Sequence, residues 1–270
     1  MPRPISPTTA QRIHATLRAA LNAAVKADEL PRNVAVSAVV PRGTRPRVRP
    51  WTAEQLGEFL DAIADERLYA LYHLAAFTGL RRGEVCGLSW DDVDLDRSRL
   101  TVRWQHATVG YRVVRSKPKT RDSEEVTIDL DDGTVAVLKA WRTQQRKERL
   151  KWGPVWDNPF NLVFTKANGD EYHPDYVYDT FVRLTRRVGL RPIPLHHLRH
   201  GAASLQIEAG VDIAVISKRL RHSTIALLMT SDTYGHLIGR AGKQAAEAAA
   251  ALVPRNKTGN KQAGDDPQDP

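Results

Sequence analysis

The sequence predicts a mostly α-helical fold with a small antiparallel sheet. Apolar residues recur every three to four positions over most of the chain, between recognisable helix caps. Only between residues 98 and 130 does the period fall to two. Glycines and prolines punctuate the boundaries between these segments.

Residues 6–29 read as one helix. Ser6 is its N-cap and Pro7 takes the first helical position, where a missing N–H costs nothing. Ile13, Leu17, Leu21 and Val25 form a single apolar stripe that requires a surface to pack on. The stretch 41–50, Pro-Arg-Gly-Thr-Arg-Pro-Arg-Val-Arg-Pro, is a linker by composition. Its arginines, Arg42, Arg45, Arg47 and Arg49, suit either a solvated tether or a strap that tracks phosphates.

Structure resumes at Thr52, which forms a capping box with Gln55 ahead of Leu56, Phe59, Leu60 and Ile63. A second helix is expected from Glu66 to Phe77, ended by Gly79, and a third, short one from Arg81 to Leu88. Leu100, Val102 and Trp104 alternate with polar neighbours, as do Val126 and Ile128. These predict three short strands, with Gly110 in the first turn and Lys117–Asp122 in the second. Further helices are expected at 132–151, 174–188, 197–209, 212–220 and 245–252, with a small hairpin at 162–169. Beyond Pro254 the chain lacks apolar residues and predicts a disordered tail.

Composition narrows the function. Lys and Arg number 40 against 31 Asp and Glu, a net charge of +9 that favours a polyanionic partner, nucleic acid first. The single cysteine, Cys86, excludes a disulfide framework within the chain and any cysteine-based zinc site. No apolar run approaches the roughly 20 residues that span a bilayer, and the N-terminus lacks a signal-type apolar region. The expectation is a soluble, cytoplasmic, basic protein.

Three segments concentrate reactive or charged residues at element boundaries. They are Thr78-Gly-Leu-Arg-Arg-Gly-Glu84, Pro118-Lys-Thr-Arg121, and Leu195-His-His-Leu-Arg-His200 followed by Leu220-Arg-His222 and Ser231-Asp-Thr-Tyr234. On a helix His196 and His200 share a face, a spacing that can hold zinc. Here no carboxylate lies between them and Arg199 repels a cation, so an anion site is the better reading. Each residue alone also has an ordinary structural role. Tyr234 can be a packed aromatic, Arg81 a helix-terminal charge, and Lys119 a solvated turn residue.

Taken in order, Thr-Gly-Leu-Arg-x-x-Glu at 78–84, Pro-Lys-Thr at 118–120, His-x-Leu-Arg-His at 196–200, Leu-x-His at 220–222 and Asp-Thr-Tyr-Gly-His-Leu at 232–237 resemble the catalytic boxes of the tyrosine recombinase (phage integrase) family. The resemblance covers about 51–253 and implies that family's catalytic fold. Residues 1–40 look like the last helix of its core-binding helical domain, with most of that domain missing from the sequence. By this resemblance Arg81 and Arg199 clamp the scissile phosphate, and Lys119 protonates the leaving 5′ oxygen. His196 acts as general acid/base and phosphate ligand, His222 is the third-box histidine and Tyr234 is the nucleophile. Glu84 supports the site structurally. The resemblance further implies double-stranded DNA attachment sites as partner, four protomers on paired sites, and accessory bending or excision factors. It implies no cofactor and no metal, because cations of the chain itself can stabilise the charge built on a phosphodiester under attack. The helix at 245–252 resembles an element that docks on a neighbouring protomer.

Two further features depart from the pattern. Arg221 stands where the family has a glycine; at a positive φ it would be strained, or it could reach a DNA phosphate. The segment from His222 to Tyr234 is about two residues longer than usual, which within a helix would turn Tyr234 by about 200°. Two other readings follow: a DNA-binding remnant without catalysis, and a type IB topoisomerase-like nicking and closing enzyme.

Overall fold

A computed structural model of the chain describes residues 5–41, 49–118 and 125–221. The chain divides into two compact units, Met1–Val48 and Arg49–Pro270.

The first unit contains helix α1 (Pro7–Lys26), capped by Ser6, whose hydroxyl accepts from the Thr9 amide. A 3₁₀ turn at Val34–Ser37 folds back along it. His14 Nε2 lies 2.7 Å from the Ala35 carbonyl, and Asn33 donates to the Arg18 carbonyl at 2.9 Å. The turn covers little of the apolar stripe. Ile13 and Leu17 remain half-exposed, and no residue of α1 is buried.

The second unit holds the core. Helix α2 (Ala53–Ala62) starts at the expected Thr52–Gln55 capping box. Helix α3 (Tyr69–Thr78) is apolar on nearly every side, as a central core helix must be. It begins three residues later than Glu66, because residues 63–68 make tight turns instead. Phe59 of α2 meets Phe181 edge-on at 5.3 Å, and Tyr72 of α3 donates its buried hydroxyl to the Val177 carbonyl at 2.7 Å. Residues Phe181 and Val177 belong to a later helix, so sequence-distant segments close one core.

Helix α4 (Arg82–Cys86) follows α3 after a sharp turn, then come strands β1 (Val93–Asp94), β2 (Arg99–Val102), β3 (Gln105–Val109), β4 (Arg112–Ser116) and β5 (Val126–Asp129). The expected three-strand meander is in fact two sheets. β1, β2 and β5 form an antiparallel sheet with Leu100 opposite Ile128, both fully buried, while β3 and β4 pair as a separate ribbon around Gly110. The break falls at Arg103–Trp104. Arg103 turns back to Asp92 at 2.7 Å, and the Trp104 ring lies 4.2 Å from the Arg115 guanidinium carbon. A cation–π contact and an ion pair thus interrupt the apolar alternation.

Helices α5 (Asp132–Trp152), α6 (Pro174–Val188), α7 (His197–Glu208) and α8 (Ile213–Leu220) complete the described residues. The expected hairpin at 162–169 is two isolated bridges, Ser89 with Leu162 and Thr165 with Glu171. The chain does turn back on itself around Gly169, where the Lys166 amide donates to the Asp170 carbonyl at 2.8 Å, but the buried apolar run Leu162–Phe164 pairs with residues 88–90. The helix expected at 245–252 and the tail lie outside the described residues. Among the described residues no helix is long and apolar enough to cross a membrane.

Helix α4 sits directly on the β3 backbone. A Cβ on Gly83 would come within 2.5 Å of the His106 carbonyl oxygen, so only glycine permits this approach. His106 is buried with both ring nitrogens unpaired among the described residues, and Nδ1 lies 3.5 Å from a Glu171 oxygen. Burial first, then Arg115, pushes its pKa down to about 4. The unfolded chain takes up this proton near pH 6.5, whereas the folded protein resists until about pH 4. Stability should therefore be full above pH 6.5 and fall as pH drops from 6.5 to 4, by at most about 3 kcal/mol. Urea midpoints at pH 7 and pH 4.5 should differ less for His106→Gln than for the unaltered protein. Equal losses in the two would rule out His106 as the source.

Candidate active site

The end of α3 carries the first part of the site. Gly79 adopts a left-handed conformation (φ 66°), which turns the chain from α3 toward α4. A side chain there would also strike Leu220 at 2.4 Å, so the position requires glycine twice over. Two residues on, Arg81 precedes α4. Its backbone N–H donates to Glu84 Oε2 at 2.7 Å and its Nη1 to Glu84 Oε1 at 2.8 Å. An acid at the third position of a helix is well placed to take up free N–H groups of the first turn.

Glu84 is fully buried, and burial alone would raise its pKa. Arg221, then the amide and guanidinium of Arg81, overcome that and hold the carboxyl below its ordinary range. Arg221 Nη2 donates to Glu84 Oε2 at 2.6 Å. The Glu84 carboxylate is thus gripped from two sides by arginines 140 positions apart in sequence.

The second part comes from α7. Arg199 lies in its first turn, almost wholly buried. It donates from Nη1 to the Gly79 carbonyl at 2.6 Å and from Nη2 to the Leu220 carbonyl. Arg199 therefore joins the end of α3 to the end of α8. His196 caps α7, its ring perpendicular to that of His200 at 5.1 Å. Although partly solvent-exposed, His196 has its pKa lowered, by desolvation first and then by Arg199, His197 and Arg81, with Glu84 opposing. A neutral imidazole near pH 7 can accept a proton.

The structure brings Arg81, Glu84, His196 and Arg199 together. Lys119, His222 and Tyr234, like Arg42, Arg45 and Arg47, lie outside the described residues. Arg49 is exposed at the start of the second unit, where its carbonyl accepts from Arg191 at 2.6 Å. Arg221 departs from the outward phosphate contact considered from sequence. Its side chain is 0% exposed and pairs with Glu84. The backbone there is left-handed (φ 53°, ψ 49°), the conformation for which glycine is favoured.

Sequence reasoning missed the carbonyls of Gly79 and Leu220 that hold Arg199. Main-chain acceptors leave no mark in a side-chain pattern. The Arg221–Glu84 pair did leave a signal, since an arginine in a glycine position implies a compensating contact. Among the described residues no group of three or more His, Cys, Asp or Glu could hold a metal ion.

Comparison with known proteins agrees with this architecture. Residues 47–238 match the phage integrase family. A tyrosine recombinase XerC-like protein of Caldanaerobacter subterraneus subsp. tengcongensis is 30% identical over 211 residues, 74% of this chain and 53% of that protein. The ICEBs1 integrase of Bacillus subtilis is 28% identical over 221 residues, 78% of this chain and 56% of that one. The chain thus spans little more than half the length of these relatives. Among solved structures, the Tn1549 transposon integrase in complex with transposon right end DNA superposes with a TM-score of 0.74 at 20% identity, covering 91% of this chain and 80% of that one. XerA recombinase gives 0.57 at 22% identity, with 95% and 86% covered. At these identities the structures speak for the fold, and the family match over most of the second unit speaks for descent: the chain belongs to the phage integrase family.

Proposed function

We propose that this protein is a site-specific tyrosine recombinase that cuts and rejoins DNA through a 3′-phosphotyrosyl link at Tyr234, in the integration or excision of a mobile element. The observation that carries this reading is the convergence of Arg81 and Arg199, 118 positions apart by their numbers, on the α3–α4 turn beside a histidine held neutral. Nothing in packing alone calls for two arginines and a proton acceptor there.

The reaction follows from these groups. Tyr234 Oη attacks the phosphorus, its proton passes to His196, and the phosphorus–O5′ bond breaks. Lys119 gives a proton to the departing 5′ oxygen. Negative charge on the non-bridging oxygens is met by the cations Arg81 and Arg199 and by His222. The new ester conserves the energy of the broken one, so a 5′ hydroxyl from either strand can reverse the step without ATP. The partner would be duplex DNA carrying paired attachment sites, with four protomers assembled on them.

The test is a covalent-adduct assay with nicked duplexes from the DNA flanking the coding sequence, run with EDTA. The unaltered protein should give a slow-migrating band on a denaturing gel and Tyr234→Phe none. Intact DNA binding with no adduct from either would leave a binding protein. Relaxation of plasmids by a monomer without sequence preference would instead indicate a nicking and closing enzyme.

A further inference from the structure

We propose that Arg221 is a positioning residue for Arg81, acting through Glu84 and through its own carbonyl. The proposal rests on the reading of Arg81 as a phosphate ligand.

Three observations carry it. First, Arg221 closes α8 in a left-handed conformation that strains a non-glycine residue. Second, its guanidinium is 0% exposed, and Nε and Nη1 lack partners among the described residues. A buried arginine with two idle donors is an expensive arrangement, and a buried ion pair is weak evidence for stability. Glycine would relieve the backbone and remove the buried charge. Stability alone therefore does not explain an arginine here.

Third, the geometry points at Arg81 from both sides. Glu84 Oε2 accepts from Arg221 Nη2 at 2.6 Å and from the Arg81 amide at 2.7 Å, which sets the rotation of the carboxylate. Oε1 is thereby aimed at Arg81 Nη1, 2.8 Å away. On the other edge, Arg81 Nη2 lies 3.5 Å from the Arg221 carbonyl. Arg221 thus meets the Arg81 guanidinium through Glu84 at Nη1 and through its own carbonyl at Nη2. Without the Arg221 guanidinium, Glu84 Oε2 loses one of its two donors, and the carboxylate directs Arg81 less firmly. Glu84 also loses the cation that does most to hold its pKa down.

The test uses the full chain and Arg221→Gly, with Arg221→Lys as the second variant. Glycine suits the backbone, which offsets part of the loss of the buried Glu84 partner, and the folded fraction of Arg221→Gly is read from its melting curve alongside the rate. Carboxyl ¹³C titration should show the Glu84 pKa raised once its strongest neighbouring cation is gone. The ¹⁵N guanidinium signals of Arg81 should report faster rotation about Nε–Cζ. On a nicked duplex at saturating concentration, adduct formation should slow at least about tenfold, in line with the sensitivity of chemistry to misplaced groups, with DNA affinity changed less than about threefold. Arg221→Lys, which keeps the charge, should recover part of the rate. An unchanged rate with unchanged Arg81 signals overturns the proposal, as does a rate loss explained wholly by a smaller folded fraction. If Arg221→Gly does not fold, the same two readings on Arg221→Lys decide. If the unaltered protein forms no adduct while Arg81 still loosens in the variant, the recombinase reading fails and the positioning role stands.

Discussion

Arg199→Ala is expected to lower adduct formation at saturating DNA by about 10²–10³-fold, the usual consequence of removing one preorganised donor from a charged transition state. Arg199 also ties α3 to α8 through the carbonyls of Gly79 and Leu220. Its loss leaves two buried acceptors unpaired, at about 1–3 kcal/mol each. The chemical and structural effects separate when Arg199→Lys is measured alongside. Lysine keeps the charge but presents no rigid fork, so it should retain more DNA affinity than rate. Single-turnover rates read together with urea unfolding of both variants give the partition. A rate within threefold of the original for Arg199→Ala would remove this residue from the phosphate site.

The second large effect belongs to Glu84→Ala. Glu84 is the buried anion that meets both Arg81 and Arg221, and its removal leaves the Arg221 guanidinium buried without its counter-charge. Breaking a buried pair from one side costs about 3–5 kcal/mol. In a domain of this size that lowers the melting temperature by roughly 10 °C. The double variant Glu84→Gln with Arg221→Gly removes both charges and should recover most of the stability, yet not the rate, because Arg81 no longer faces a carboxylate. A melting temperature for Glu84→Ala within 2 °C of the original would show that Arg221 finds another partner at little cost.

Much of the fold was legible. Among the described residues, helices followed to within a few residues where capping or glycine signals marked them, as with Thr52 before α2 and Gly79 after α3. Local hydrogen bonding and helix periodicity are properties of neighbouring residues, and neighbours are what a sequence displays. The strands were read less well. Leu100, Val102 and Trp104 keep a perfect alternation, yet β2 ends at Val102 and the Trp104 indole lies against Arg115 of β4. Leu162–Phe164 pairs with residues 88–90, a partner no local pattern could indicate.

The candidate site divides in the same way. The resemblance to the family's boxes, not residue chemistry alone, singled out Arg81, Glu84, His196 and Arg199 together with Lys119, His222 and Tyr234, and the last three lie outside the described residues. Tertiary structure alone decided how the described members are held. It placed Arg199 on two backbone carbonyls, and it turned Arg221 from a surface charge into the buried partner of Glu84. The reason is physical. Helix caps and apolar periods act over a few residues. The direction of a buried guanidinium depends on which acceptor, 120 or more positions away, the folded core brings within 3 Å.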